Sequence, residues 1–293
     1  DAETYFVEKL DLEKKVAFVQ KRNLDYYTQA ISESNIVIDE EDTERPLNEG
    51  RLGLGEVTVT TTLPMFKKIK FASRDSIGFG KLDLPPQQLN TRAVWLIPPA
   101  ETVKRVTGFG RTPVDGLVGI ANVLVDIARL HIMCDPSDIG TVVDSTNRGS
   151  PTLFVYDRYE GGMGFAQRAY RVFEDILEDT LALVRQCDCD DGCPSCVGAP
   201  VPDYAQTSID SGTHDVLPDK EAALVMLHDI LDKEPYIPAK PPRPPGAEPG
   251  VARPNAPMDD LPAKDEEDDP VDVTPLPDHL AKLIRQRIKR LKD

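Results

Sequence analysis

Four cysteines lie within ten positions of this 293-residue chain. Cys187, Cys189, Cys193 and Cys196 follow the spacing C-x-C-x₃-C-x₂-C, and Gly192 allows the two close pairs to approach each other. Four thiolates can surround one zinc ion as a tetrahedron, and a set that leaves no coordination position open is typical of a structural site. The sequence therefore predicts one structural zinc ion. An iron–sulfur cluster and a redox switch remain as alternatives.

The fifth cysteine, Cys134, follows His131 by three positions at the end of a predicted helix. A catalytic thiol would need an activating base and a feature that stabilises an oxyanion, and no glycine elbow accompanies this pair. We interpret Cys134 as a small apolar side chain. Gly80-Lys81 is followed by Leu82, so it does not form a phosphate-binding P-loop. We predict no catalytic residue in this chain.

The chain is strongly acidic, with 50 Asp plus Glu against 34 Lys plus Arg and a net charge of −16. A free-standing nucleic-acid binder usually carries a basic excess, so any DNA contact must use a local patch or a neighbouring domain. Crowded cysteines are unlike the scattered pairs of a disulfide scaffold and favour a reducing, cytoplasmic setting. No apolar run of about 18 residues is present, so we expect no membrane span.

The patterning predicts an α+β chain with four parts. Short β-branched and aromatic runs separated by turns predict a β-rich, small barrel-like domain or a sandwich over residues 1–98. Residues 99–232 read as a mixed α/β zinc-binding domain, with a strand at 153–157. Its predicted helices, at 112–133, 164–184 and 218–231, show apolar residues at helical spacing.

A glycine-rich turn, from Tyr156 to Gly164, joins the predicted strand to the second helix. Free N–H groups at such a junction can bind phosphate, and a nucleic-acid backbone is one candidate ligand. Asp157 and Glu160 would repel phosphate, however. We therefore interpret the segment as a sharp turn that requires positive φ.

We predict that residues 233–277 form a Pro-rich, acidic, disordered linker, since thirteen of the 26 prolines lie between 235 and 277. Residues 278–293 predict a basic amphipathic helix. This helix could bind a partner groove, nucleic acid or an anionic surface, or could dock on its own protein. The tail is thus a candidate site for a protein partner.

Several segments occur together in a characteristic order: YFVEKLD at 5–11, DYYT at 25–28, LPPQ at 84–87 with Thr91, MCDPSDIG at 133–140, YD and GGMG within 156–164, and Cys187 to Cys196. In this order they resemble the C-terminal region of the DEAD/DEAH-box helicases that end in a DUF1998, or MrfA-like zinc-binding, domain. The resemblance covers about residues 1–232.

The resemblance implies a superfamily 2 DNA helicase with roles in DNA repair or antiphage defence, and it implies that the four cysteines are the metal ligands. RecA-like motor domains, absent from this chain, would bind ATP and Mg²⁺ and translocate on single-stranded DNA. The present portion would brace the motor and guide the strand. The chain does not begin with Met, so we expect the motor in cis. A separate DUF1998 subunit that acts as a binding or assembly module beside an ATPase in trans is the alternative.

Overall fold

Eight strands and five helices form the part of the chain that the computed structural model describes, residues 3–189, 192–199 and 217–242. The strands are β1 (Tyr5–Asp11), β2 (Val16–Lys21), β3 (Tyr26–Leu47), β4 (Gly50–Lys70), β5 (Ser76–Lys81), β6 (Gln87–Ile97), β7 (Ile139–Asp144) and β8 (Thr152–Asp157). The helices are α1 (Ala100–Gly108), α2 (Pro113–Ile132), α3 (Phe165–Arg171), α4 (Phe173–Gln186) and α5 (Lys220–Ile230). This mixture confirms the α+β prediction.

The predicted tail lies mostly outside the described residues. This applies to the linker beyond residue 242 and to the whole predicted helix at 278–293. The described start of the predicted linker is held by two arginines of the helical region: Arg105 donates to the carbonyl oxygen of Tyr236 at 2.8 Å, and Arg111 donates to that of Lys240 at 2.7 Å.

Within the described part, no helix is long and apolar enough to cross a membrane.

One antiparallel sheet contains six of the strands in the order β3-β4-β6-β8-β7, with β5 paired to β4. Strands β1 and β2 form a separate two-stranded sheet. The pairing of β6 with β8 joins a strand that precedes residue 98 to one that follows it, so the sheet crosses the predicted domain boundary. Strands β3 and β4 form a long hairpin of 22 and 21 residues, where the sequence predicted several short strands.

Within the described residues, the sheet curls around a core of its own and does not close into a small barrel, one of the two folds that the sequence predicts. Its inner face buries the apolar residues Ile36, Val57, Val59, Ala93, Trp95, Ile97, Val142, Phe154 and Tyr156, which come from β3, β4, β6, β7 and β8. Among the described residues, no strand ladder joins β3 to β7. The side chain of Asn147 bridges them instead: its Nδ2 donates to the Ile36 carbonyl at 2.7 Å, and its Oδ1 accepts from the Ile38 N–H at 3.0 Å. A side chain therefore satisfies backbone groups that a closing strand would pair.

The outer face of the sheet packs on the helices. Leu52, Val94, Leu96, Leu153 and Val155 belong to one buried cluster with residues of α2, α4 and α5. The predicted helices at 112–133 and 218–231 are confirmed as α2 and α5. The predicted helix at 164–184 is interrupted, because Val172 takes φ −115° and ψ 22° and separates α3 from α4.

A buried carboxylate organises the turn between β8 and α3. Gly161, Gly162 and Gly164 have φ of 72°, 79° and 95°, so the interpretation as a sharp turn is confirmed. The Asp157 carboxylate is fully buried. It accepts the backbone N–H groups of Met163, Gly164, Phe165 and Ala166 at 2.6, 2.9, 3.2 and 2.7 Å. An internal anion thus occupies the helix N-terminus where an external phosphate would bind.

Replacing Asp157 with Asn should lower the free energy of unfolding by about 2–3 kcal/mol, because an amide nitrogen would face N–H donors in a buried site. Urea denaturation of the variant measures this loss. Asp83→Asn is the matched control, since Asp83 is exposed and should leave stability unchanged. Equal stability of the two variants would contradict the assigned role of Asp157.

Candidate metal centre

The four clustered cysteines come together in space directly after α4. Cys187 takes extended backbone angles at the end of that helix. The four Sγ atoms all lie within 4.8 Å of one another. Sulfur–sulfur distances are 3.6 Å for Cys187 and Cys193, 3.4 Å for Cys189 and Cys196, and 3.7 Å for Cys193 and Cys196. The spacing in the sequence therefore becomes one compact group of sulfur atoms.

The geometry fits a tetrahedral metal ion and does not fit a disulfide. A zinc–sulfur bond of about 2.3 Å places the sulfurs of a tetrahedron about 3.8 Å apart. A disulfide would bring two of them to about 2.05 Å. All five cysteines of the chain are free thiols in this structure. The donor set therefore suits a closed four-sulfur site.

The second cysteine pair forms a tight turn that directs an N–H group at sulfur. The N–H groups of Cys196 and Val197 donate to the Cys193 carbonyl at 3.0 and 3.1 Å. The Cys193 N–H points at the Cys196 Sγ at 3.3 Å. Burial works against ionisation of Cys193, but the Ser195 backbone and the neighbouring thiols outweigh it and lower its pKa to about 7. Burial raises the pKa of the Cys196 thiol. The surroundings thus make a thiolate easier to form at Cys193 and harder to form at Cys196.

Helix α2 supports the cysteine segment from one side. The amide of Asn122 donates to the Val197 carbonyl at 3.0 Å. Gly198 has φ 83°, and a Cβ there would lie 2.2 Å from the Asn122 amide nitrogen. Gly192 has φ 97°, and its Cβ would lie 2.6 Å from the Val197 side chain. Both glycines therefore allow close approach at positions where other residues would be strained.

A buried lysine supports the segment from the other side. Lys220, the first residue of α5, is 7% exposed. Its ammonium group donates to the carbonyls of Cys187 and Cys189 at 2.6 and 3.0 Å and lies 3.6 Å from the Cys189 Sγ. Sequence reasoning missed this residue, because a lysine in the first turn of a helix is ordinarily solvated. Its position brings the start of α5 against the cysteine segment.

Asp219 holds the start of α5 in place. Its Oδ1 accepts the Ala222 N–H at 3.0 Å as a helix cap. Its Oδ2 lies 2.5 Å from Arg111, whose side chain is 4% exposed. One carboxylate therefore both caps the helix and neutralises a buried guanidinium.

His131 and Cys134, which the sequence does not indicate as a catalytic pair, each lie near an acidic residue. His131 Nε2 lies 2.8 Å from the Asp179 carboxylate. Cys134 is half-buried, and burial together with the charge of Asp138 raises its pKa. Both observations favour the interpretation of Cys134 as an unreactive thiol.

Replacing Asp219 with Ala should cost about 3–5 kcal/mol, because the change leaves the buried Arg111 charge without its partner and removes the cap. Thermal and urea unfolding measure the loss. Asp25→Ala removes an exposed carboxylate and serves as the control. A loss below about 1 kcal/mol would show that the Asp219 contacts do not stabilise the start of α5.

Residues 120–197 match the family model described as the MrfA Zn-binding domain, and the match includes all four clustered cysteines. The uncharacterized ATP-dependent helicase YprA of Bacillus subtilis is 39% identical over 199 residues, which are 67% of this chain and 26% of YprA. The ATP-dependent helicase HRQ1 of Saccharomyces cerevisiae is 23% identical over 208 residues, which are 67% of this chain and 19% of HRQ1.

A solved structure supports the same relationship. The crystal structure of the DUF1998 helicase MrfA bound to DNA superimposes with a TM-score of 0.50 and 34% identity, covering 77% of this chain and 28% of that one. The chain thus spans about a quarter of the length of these helicases. Residues 120–197 therefore match the MrfA Zn-binding domain, in a chain that is homologous to part of the ATP-dependent helicase YprA and of the DUF1998 helicase MrfA.

Proposed function

We propose that this chain is the zinc-stabilised accessory region of an ATP-dependent superfamily 2 DNA helicase, which guides DNA and braces a motor whose ATPase domains lie outside it. The observation that carries the proposal is the group of four sulfur atoms that lie within 4.8 Å of one another, in a chain that is 39% identical to a helicase over 199 residues. A sulfur-only tetrahedron has no open coordination position and therefore serves structure.

Cys187, Cys189, Cys193 and Cys196 are the proposed zinc ligands. Zinc would hold together the two cysteine pairs of a segment that Asn122 of α2 and Lys220 of α5 already contact. Metal binding to such a site contributes directly to folding free energy, because the unfolded chain has no preformed site. The ion would thus fix the relative positions of three helices.

The motor chemistry belongs to domains outside this chain. ATP and Mg²⁺ would bind to RecA-like domains, as the resemblance implies. The present region would contact DNA, in its single-stranded form, through a local patch, since its net charge is −16. Support comes from its similarity to a helicase whose structure was solved bound to DNA. The process served is DNA repair or antiphage defence in the cytoplasm, and the Pro-rich segment with the basic end helix would bind a protein partner.

We favour an arrangement in cis, in which the motor precedes this region in one polypeptide. The short share of each relative that the chain covers supports it. A separate subunit that binds a motor in trans is the second candidate. It is favoured by the single compact unit that the described residues up to 242 belong to. The reading frame upstream of Asp1 distinguishes them, since continuous helicase motifs establish the first and a stop codon establishes the second.

Elemental analysis after exhaustive dialysis should find one zinc per chain. Cys193→Ser should lose that zinc together with several kcal/mol of stability, because three sulfurs hold the ion poorly and metal binding drives folding here. Cys134→Ser is the matched control, since the fifth cysteine lies outside the four-sulfur group, and it should keep its zinc.

Two results would contradict the zinc proposal. Unchanged zinc content and unfolding temperature in Cys193→Ser would remove the ligand assignment. Iron in place of zinc would indicate an iron–sulfur cluster, for which the same four thiolates are suitable ligands.

Replacing Lys220 with Met should lower zinc affinity about tenfold, because residues that orient or neutralise metal ligands contribute about that much. Methionine cannot replace the hydrogen bonds of the Lys220 ammonium group to the Cys187 and Cys189 carbonyls, or its contact with the Cys189 sulfur. Competition with a chromogenic zinc chelator measures the affinity. Lys233→Met is the control, since this lysine pairs with Glu178 on the surface, and an equal effect in both variants would exclude a specific role for Lys220.

A further inference from the structure

One end of the large sheet carries a charge opposite to that of the chain. Residues 64–82 include one acidic residue, Asp75, and five basic residues, which are Lys67, Lys68, Lys70, Arg74 and Lys81. The facing stretch of β3, residues 26–32, has no charged residue. Among the described residues, none of the five basic side chains forms a salt bridge with an acidic one. This end is therefore a local basic patch on an acidic protein.

The strand register shows which side chains share a face of this end. Gln29 of β3, Lys67 of β4 and Phe79 of β5 lie in one row across the three strands. Because side chains alternate along a strand, Tyr27 and Lys81 lie on the same face as that row. Phe71, just beyond β4, joins them, since its ring centroid lies 5.3 Å from that of Tyr27. We call Tyr27, Lys67, Phe71, Phe79 and Lys81 the aromatic–basic face.

Three rings of the aromatic–basic face are exposed to solvent. Tyr27 is 38% exposed, Phe71 51% and Phe79 54%. Ile69, which pairs with Tyr27 across the strands and lies on the same face, is only 6% exposed. The sheet is therefore well packed beside the exposed rings. Exposed aromatic side chains grouped on one face indicate an interaction site, because leaving them in water is unfavourable.

On the opposite face of the same strands, two aromatic rings lie against neighbouring residues. The Lys68 ammonium lies 5.2 Å from the centre of the Tyr26 ring. The Phe66 ring covers Gly80 so closely that a Cβ there would lie 2.3 Å from it. The rings at this end of the sheet that are more than a third exposed therefore lie on the aromatic–basic face.

We propose that the aromatic–basic face binds single-stranded DNA, with bases stacked on its rings and phosphates paired with Lys67 and Lys81. A sheet with exposed aromatics is an effective stacking platform, and neighbouring cations attract the backbone. Duplex DNA hides the base surfaces that these rings would contact, so the face selects unpaired strands. The proposal rests on the proposed function, and it locates the strand-guiding surface on β3, β4 and β5.

The test is fluorescence anisotropy of the full chain with a labelled oligothymidylate of about 16 nucleotides. Phe71→Ala should weaken binding by about 5-fold or more, since one stacked base contributes at least that factor. Phe71→Leu should weaken it similarly while keeping the apolar contact with its neighbours. Lys67→Gln with Lys81→Gln should reduce both the affinity and its salt dependence between about 50 and 200 mM.

The matched control variants carry the same kinds of substitution at residues outside the aromatic–basic face. Phe18→Ala removes a ring that is 49% exposed on the separate β1–β2 sheet. Lys14→Gln with Lys104→Gln removes the same charge from two exposed lysines. These variants should bind as the wild type does. All variants should keep their zinc content and unfolding temperature, because the replaced side chains are exposed or half-buried.

The outcomes separate the two proposals. If the variants of the aromatic–basic face bind as tightly as the wild type, the face is not the binding surface, although the chain still contacts DNA elsewhere. An equal loss in the control variants would likewise overturn the proposal in favour of non-specific charge attraction. If the wild type binds no oligothymidylate at about 50 mM salt, both this surface and the strand-guiding part of the proposed function fail, while the zinc assignment is unaffected.

Discussion

The pairing of β6 with β8 is the contact on which both cores of this protein depend. Along β6, Ala93, Trp95 and Ile97 face the inner core, while Val94 and Leu96 face the helices. Strand β8 alternates in the same way, so one antiparallel pair supplies the centre of two apolar clusters. Both strands are almost entirely apolar here because neither face is free for solvent. A register slip of one residue would exchange the two sets and disrupt both cores at once.

Strand β8 also determines where the cysteines lie. It ends at Asp157, whose carboxylate holds the start of α3, and α4 then carries the chain to Cys187. The cysteine segment meets α5 at a point fixed by Asp219 and Lys220. The four sulfurs are therefore brought together by contacts with surrounding backbone as well as by their spacing. A metal ion bound there would stabilise a group of helices that the sheet has already ordered.

The two proposed sites differ in kind. The cysteine group is a closed donor set that suits structural zinc, which matches the MrfA Zn-binding domain. The aromatic–basic face is an open surface with charge opposite to that of the chain, and it suits an anionic strand. An acidic protein can contact DNA in this way, because attraction to phosphate depends on the nearby charges once salt screens the distant ones.

Local sequence patterns were enough to predict that the four cysteines form one group, and to predict the α+β class and the helices α2 and α5, because close spacing and apolar periodicity are local properties. They also indicated the glycine turn, since positive φ is a local requirement. Two features became visible only in the tertiary structure: the sheet curls without closing, and Val172 divides the helix predicted at 164–184. The tertiary structure alone placed Lys220 at the sulfurs and Tyr27 beside Phe71. These contacts join residues far apart in the chain, and strand register and helix packing, which no local pattern encodes, bring them together.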